Sequence, residues 1–177
     1  MNLPNALTIV RMILVPIFAY AYFFTSPAWI GLALFLIASA TDVLDGYLAR
    51  KWNQITNFGK LMDPLADKLM TVTMMSCLAA THRIPWWVVI MILTKELAMM
   101  LGSGYMLKHK VVVQANVWGK LATFAFIIGL SLAYPWHQSP ALLATGRAVV
   151  YLAVVLSMVA MMIYAVQAYK NLKTRAA

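Results

Sequence analysis

Four aspartates, Asp42, Asp45, Asp63 and Asp67, fall within 26 consecutive positions of a 177-residue chain that has only five acidic side chains in all. They stand at the ends of two long apolar runs, where a carboxylate is costly to keep and marks function by default. The surrounding pattern reads Asp42-x2-Asp45-Gly46-x2-Ala49-Arg50-x8-Gly59-x3-Asp63-x3-Asp67. Successive helical residues turn by about 100°. Asp42, Asp45, Gly46 and Ala49 therefore form one stripe, and Gly59, Asp63 and Asp67, at i, i+4 and i+8, form another. The polar stretch 51–58 is predicted to fold the two helices into an antiparallel hairpin, so that the four carboxylates face each other. Such groups repel unless protonated or metallated. Hard divalent cations answer that repulsion, Mg²⁺ or Mn²⁺ before Zn²⁺, because no Cys or His lies near enough in sequence to offer a softer ligand. Gly46, Ala49 and Gly59 leave room on the same faces for a ligand or for close helix packing.

The elements that must hold these groups are membrane helices. The chain is 63% hydrophobic and 11% charged, with a mean hydropathy of +0.80, far outside the soluble range. A helix needs roughly 20 apolar residues to cross a bilayer core. Six runs qualify, at about 7–24, 29–49, 60–81, 86–107, 117–134 and 142–168. The expected fold is all-α, a polytopic membrane protein of six transmembrane helices in one domain over residues 1–177. No small-residue cleavage site follows the first run, so it is kept as a helix. Arg50, Lys51, Lys60, Lys108, Lys110, Lys120, Lys170, Lys173 and Arg175 would lie on one side of the membrane, against Arg83 and Arg147 on the other. The excess puts both termini and the aspartate hairpin at the cytoplasmic face of the cell membrane. Trp29, Trp86, Trp87 and Trp136 would form an aromatic belt at the opposite interface. The net charge of +9 suits anionic lipid headgroups and substrates rather than nucleic acid. Cys77 lies in an apolar run and reads as a buried small hydrophobe.

The eight fixed positions from Asp42 to Asp67 resemble, without departure, the signature of the CDP-alcohol phosphatidyltransferase family. The resemblance implies an integral membrane enzyme that moves a phosphatidyl or similar group from a CDP-linked donor to an alcohol and releases CMP. Asn2-Leu3-Pro4-Asn5-x-Leu7-Thr8-x2-Arg11, Lys95-Glu96 and Gly119-Lys120-x2-Thr123 add similarity to the branch that makes phosphatidylglycerophosphate. Two metal ions on Asp42, Asp45 and Asp63 would bridge the donor diphosphate, with Asp67 as general base and a further metal contact. By resemblance, Gly46, Ala49 and Gly59 would line the cytidine pocket and Arg50 would hold the nucleotide, joined by Asn5 and Thr8. A homodimer is implied as well.

CDP-diacylglycerol is the expected donor and glycerol 3-phosphate the expected acceptor. Arg11, Lys60, Lys95, Lys108, Lys110 and Lys120 are candidate cations for the acceptor phosphate. Arg11 has a competing reading, in which it snorkels to the headgroups. Lys95 and Glu96 are adjacent, so their side chains should diverge by about 100° and each should seek a partner on another helix or in a cavity. Glycerophosphate-using members resembled here usually have Arg-Glu in place of Lys95-Glu96, and a further arginine where Ser103 stands. That leaves phosphatidylglycerol, the acceptor of cardiolipin synthases, as an alternative. A divalent-cation transporter would also place aspartates in a membrane, but it leaves Gly46, Ala49, Arg50 and Gly59 without a purpose.

Overall fold

The computed structural model describes residues 3–51, 57–108, 116–135 and 139–176. Six α-helices run through them: α1 Leu3–Phe24, α2 Trp29–Lys51, α3 Asn57–Ala80, α4 Trp86–Lys108, α5 Val117–Ala133 and α6 Pro140–Ala176. Each expected apolar run lies in its own helix. α6 extends well past the expected end, because the hydropathy criterion stops at the last apolar turn while Ala168, Lys170, Leu172, Lys173 and Arg175 are good helix formers that need no membrane around them. Two helical stretches, Trp86–Gly104 and Pro140–Asn171, are long and apolar enough by themselves to cross a membrane. Ile9–Phe24, Trp29–Thr41, Lys68–Ala80 and Val117–Ala133 are shorter apolar helices. Large apolar side chains cover the exterior, among them Phe24, Leu101, Met162 and Tyr169, a surface that suits lipid contact better than water.

The chain divides into two compact units, Met1–Arg83 with Tyr134–Ser139, and Ile84–Ala133 with Pro140–Ala177. In the first, α1 packs on both α2 and α3, and α2 touches α3. Its core is aromatic at one end. The Phe18 ring lies 6.2 Å from those of both Tyr22 and Phe35, and Tyr22 meets Tyr134 edge-on at 5.2 Å. Gly31 makes this possible, since a Cβ there would stand 2.1 Å from the Tyr134 hydroxyl. The Tyr22 hydroxyl hydrogen-bonds Thr81 Oγ1 at 2.7 Å and ties the end of α1 to the end of α3. α3 stops in a Schellman turn: Arg83 N donates to Leu78 O at 2.8 Å and His82 N to Ala79 O at 3.0 Å, with His82 in the left-handed region at φ 56°.

In the second unit α5 and α4 both pack on α6. Backbones approach closely where glycine stands: a Cβ on Gly129 would lie 2.8 Å from Val150 N, and one on Gly146 2.6 Å from Ala133 N. Small residues at a helix crossing give van der Waals contact that lipid cannot replace. Asn116 caps α5, accepting from Gly119 N at 2.8 Å, and its amide donates to Ala160 O of α6 at 2.9 Å.

Candidate active site

Helical periodicity places the aspartates. The buried face of α2 runs through Gly31, Phe35 and Ala38, and the same i+4, i+3 alternation continues at Asp42, Asp45 and Ala49. α2 is helical as far as Lys51. The buried face of α3, read backwards from Leu78 through Met74 and Met70, continues at Asp67, Asp63 and Gly59, all within the helix that begins at Asn57. Both aspartate pairs thus occupy register positions of stripes that, in their described parts, are the inner faces of a three-helix unit. The side chains of all four, and of Gly46, Ala49, Arg50, Gly59 and Lys60, lie outside what the structure describes, as does the connection 52–56.

Oxygen donors of this kind fit a hard divalent cation. Among the described residues no three His, Cys, Asp or Glu side chains gather elsewhere.

The basic candidates fare differently from one another. Arg11 is in α1 and only 1% exposed, on the same face as Phe18, so it does not snorkel to the surface. Lys95 and Glu96 pair with each other, Nζ to Oε1, with side chains 12% and 21% exposed. This corrects the expectation that adjacent positions on a helix cannot meet. Cβ directions diverge, but the four-carbon stem of lysine lets its ammonium fold back to the carboxylate, and two charges in apolar surroundings are far cheaper together than apart. Ser103, two turns on, donates to Met100 O at 2.9 Å on an exposed face. Lys120 is exposed on α5 and Lys108 ends α4, while Lys110 lies outside the described residues. Asn5 and Thr8 lie in the first turns of α1, their side chains not among those described.

Trp29, Trp86 and Trp87 are all exposed at helix starts, and Trp87 stacks on Tyr151 at 5.5 Å; Trp136 lies outside the described residues. Cys77 is buried, as expected. A groove of about 350 Å³ in the second unit is lined by Ala98, Met99, Gly102, Met106, Met161 and Tyr164, among others, with no charged group. It offers contact to apolar chains and no chemistry. Sequence reading missed Asn116: an asparagine before an apolar run signals a cap, but nothing local announces its second bond to Ala160, 44 residues away.

The chain is similar to proteins already named. A protein of Bacillus subtilis named CDP-diacylglycerol–glycerol-3-phosphate 3-phosphatidyltransferase is 39% identical over 160 residues, covering 78% of this chain and 79% of its own. The Haemophilus influenzae protein of that name is 34% identical over 170 residues, covering 92% and 91%. Its Rickettsia bellii namesake is 35% identical over 133 residues, 74% of each chain. Residues 1–169, spanning both compact units, match the family described as CDP-alcohol phosphatidyltransferase, and the chain belongs to that family.

Proposed function

We propose that this protein transfers the phosphatidyl group of CDP-diacylglycerol to glycerol 3-phosphate, giving phosphatidylglycerophosphate and CMP. The observation that carries the reading is the continuation of the buried stripes of α2 and α3 into Asp42, Asp45, Asp63 and Asp67. Relatives across three bacterial groups named for this reaction support it. Family membership makes the enzyme dependent on a divalent metal. The finer assignment is Mg²⁺ or Mn²⁺, two ions, held by Asp42, Asp45 and Asp63 with Asp67 at their edge. Bound there, they would neutralise the donor diphosphate and the departing CMP.

The residues of the chain do the rest. Asp67 accepts the proton of the acceptor hydroxyl as its oxygen attacks the phosphorus bearing the diacylglycerol, and the bond to the CMP oxygen breaks. Gly46, Ala49 and Gly59 leave space for cytidine, Arg50 holds the nucleotide phosphates, and Asn5 and Thr8 close the site from α1. Lys60, Lys108, Lys110 and Lys120 draw the acceptor phosphate. Lys95 is set apart by its pairing with Glu96. All six helices span the cell membrane, with both termini and the aspartates at the cytoplasmic face, where CDP-linked donors and phosphorylated acceptors are found.

The test is an acceptor screen. Purified protein with CDP-diacylglycerol and a divalent cation should release CMP when glycerol 3-phosphate is added. Release with phosphatidylglycerol alone would move the enzyme to cardiolipin synthesis, and release with neither would end the transferase reading.

A further inference from the structure

Arg11 is among the largest fully buried side chains of the first unit. A guanidinium stays charged at any accessible pH, and a buried charge is tolerated only when compensated. The sequence of the first unit holds just four carboxylate side chains, and all are the aspartates of the candidate site. Glu96, the fifth acid of the chain, belongs to the second unit and pairs with Lys95.

The register says which aspartate is level with it. Phe18 of α1 meets Phe35 of α2, and the two helices run antiparallel. Seven residues back from Phe18 is Arg11, and seven on from Phe35 is Asp42. Seven residues are about 10.5 Å of rise and two turns less roughly 20°. Helical register therefore sets positions 11 and 42 level with each other, two turns along from the level shared by Phe18 and Phe35.

We propose that Arg11 is a positioning residue that pairs with Asp42, fixing that carboxylate and acting as the resident counter-charge of the aspartate cluster before metal binds. The inference rests on the metal-binding reading above and adds a fixed cation to it. One permanent positive charge lets two inner helix faces bearing four acids pack without metal. It also places Arg11 behind the metal site rather than on the acceptor phosphate.

The experiment is a double-variant cycle on the full chain in detergent, comparing wild type, Arg11→Met, Asp42→Asn and the double variant. Melting is followed in chelator and in Mn²⁺, with Mn²⁺ affinity read by electron paramagnetic resonance. In chelator, Arg11→Met should lower the melting temperature by several degrees. The double variant should melt above Arg11→Met alone, because it lacks the carboxylate left unmatched. Mn²⁺ should raise the melting temperature of Arg11→Met more than that of wild type, and Arg11→Lys should restore most of the loss. If Arg11→Met does not fold, the cycle is run with Arg11→Gln, which also removes the charge and for which the same non-additivity is expected. Additive losses, or an Arg11→Met loss unaffected by Mn²⁺, would overturn the proposal. Should Asp42→Asn and Asp63→Asn bind Mn²⁺ as wild type does, the metal reading itself fails; a lost Mn²⁺ site with additive losses in chelator sinks only the Arg11 pairing.

Discussion

The rings of Phe18 and Phe35 meet at 6.2 Å between centroids, both fully buried, and this one contact sets how α1 and α2 lie along each other. The register from which the Arg11–Asp42 pairing is proposed is counted from it.

The clearance at Gly31 tests that end of the unit. Gly31→Ala puts a methyl 2.1 Å from the Tyr134 hydroxyl and 3.2 Å from the ring carbon that bears it. Overpacking of this kind costs about 1–3 kcal/mol, or roughly 2–12 °C of melting temperature at the usual 2–4 °C per kcal/mol. Adding Tyr134→Phe removes the nearer clash and should recover more than half of the loss. Thermal melts of the three variants check this, and a double variant no better than Gly31→Ala would contradict it.

Asn116 holds two bonds at once, so its variants should separate them. Asn116→Ala loses the cap of α5, worth about 1 kcal/mol, and the bond to Ala160 O, worth about another. Asn116→Ser keeps a capping oxygen and loses only the second. Melting temperatures should fall in the order wild type, Ser, Ala.

Much of this was legible beforehand, for definite reasons. All six apolar runs lie in helices, the element in which a long run of Leu, Ile, Val, Ala and Met satisfies its own backbone locally. The aspartate spacing could be read because helical stripes follow from sequence alone. Which face of an apolar helix is inside could not be read. In lipid both faces are apolar, so the sequence offered Arg11 a headgroup or a phosphate contact and did not announce its burial on the same face as Phe18. The Lys95–Glu96 pair escaped a rule written for Cβ directions, which ignores long flexible stems.

Asp67→Asn should abolish turnover, a loss of at least about 10²-fold on general-base grounds, while leaving binding of CDP-diacylglycerol within a few-fold of wild type. CMP release and ligand binding on the same preparation check it. Undiminished activity would remove Asp67 as the base.

Removal of divalent cations by a chelator should stop CMP release, and added Mg²⁺ or Mn²⁺ should restore it. Ca²⁺ should restore little, because its longer bonds and looser coordination suit the site poorly. A chelator-resistant reaction would contradict carboxylates acting through metal.

The most direct measurement is Mn²⁺ binding by electron paramagnetic resonance, with CDP-diacylglycerol present, to wild type and to Asp42→Asn, Asp45→Asn and Asp63→Asn. A site shared by α2 and α3 predicts that affinity drops at least about 10-fold in every variant, as loss of one hard ligand from a small set requires. Retention of wild-type affinity when the carboxylates of either helix are removed would show that the two helices do not build one site.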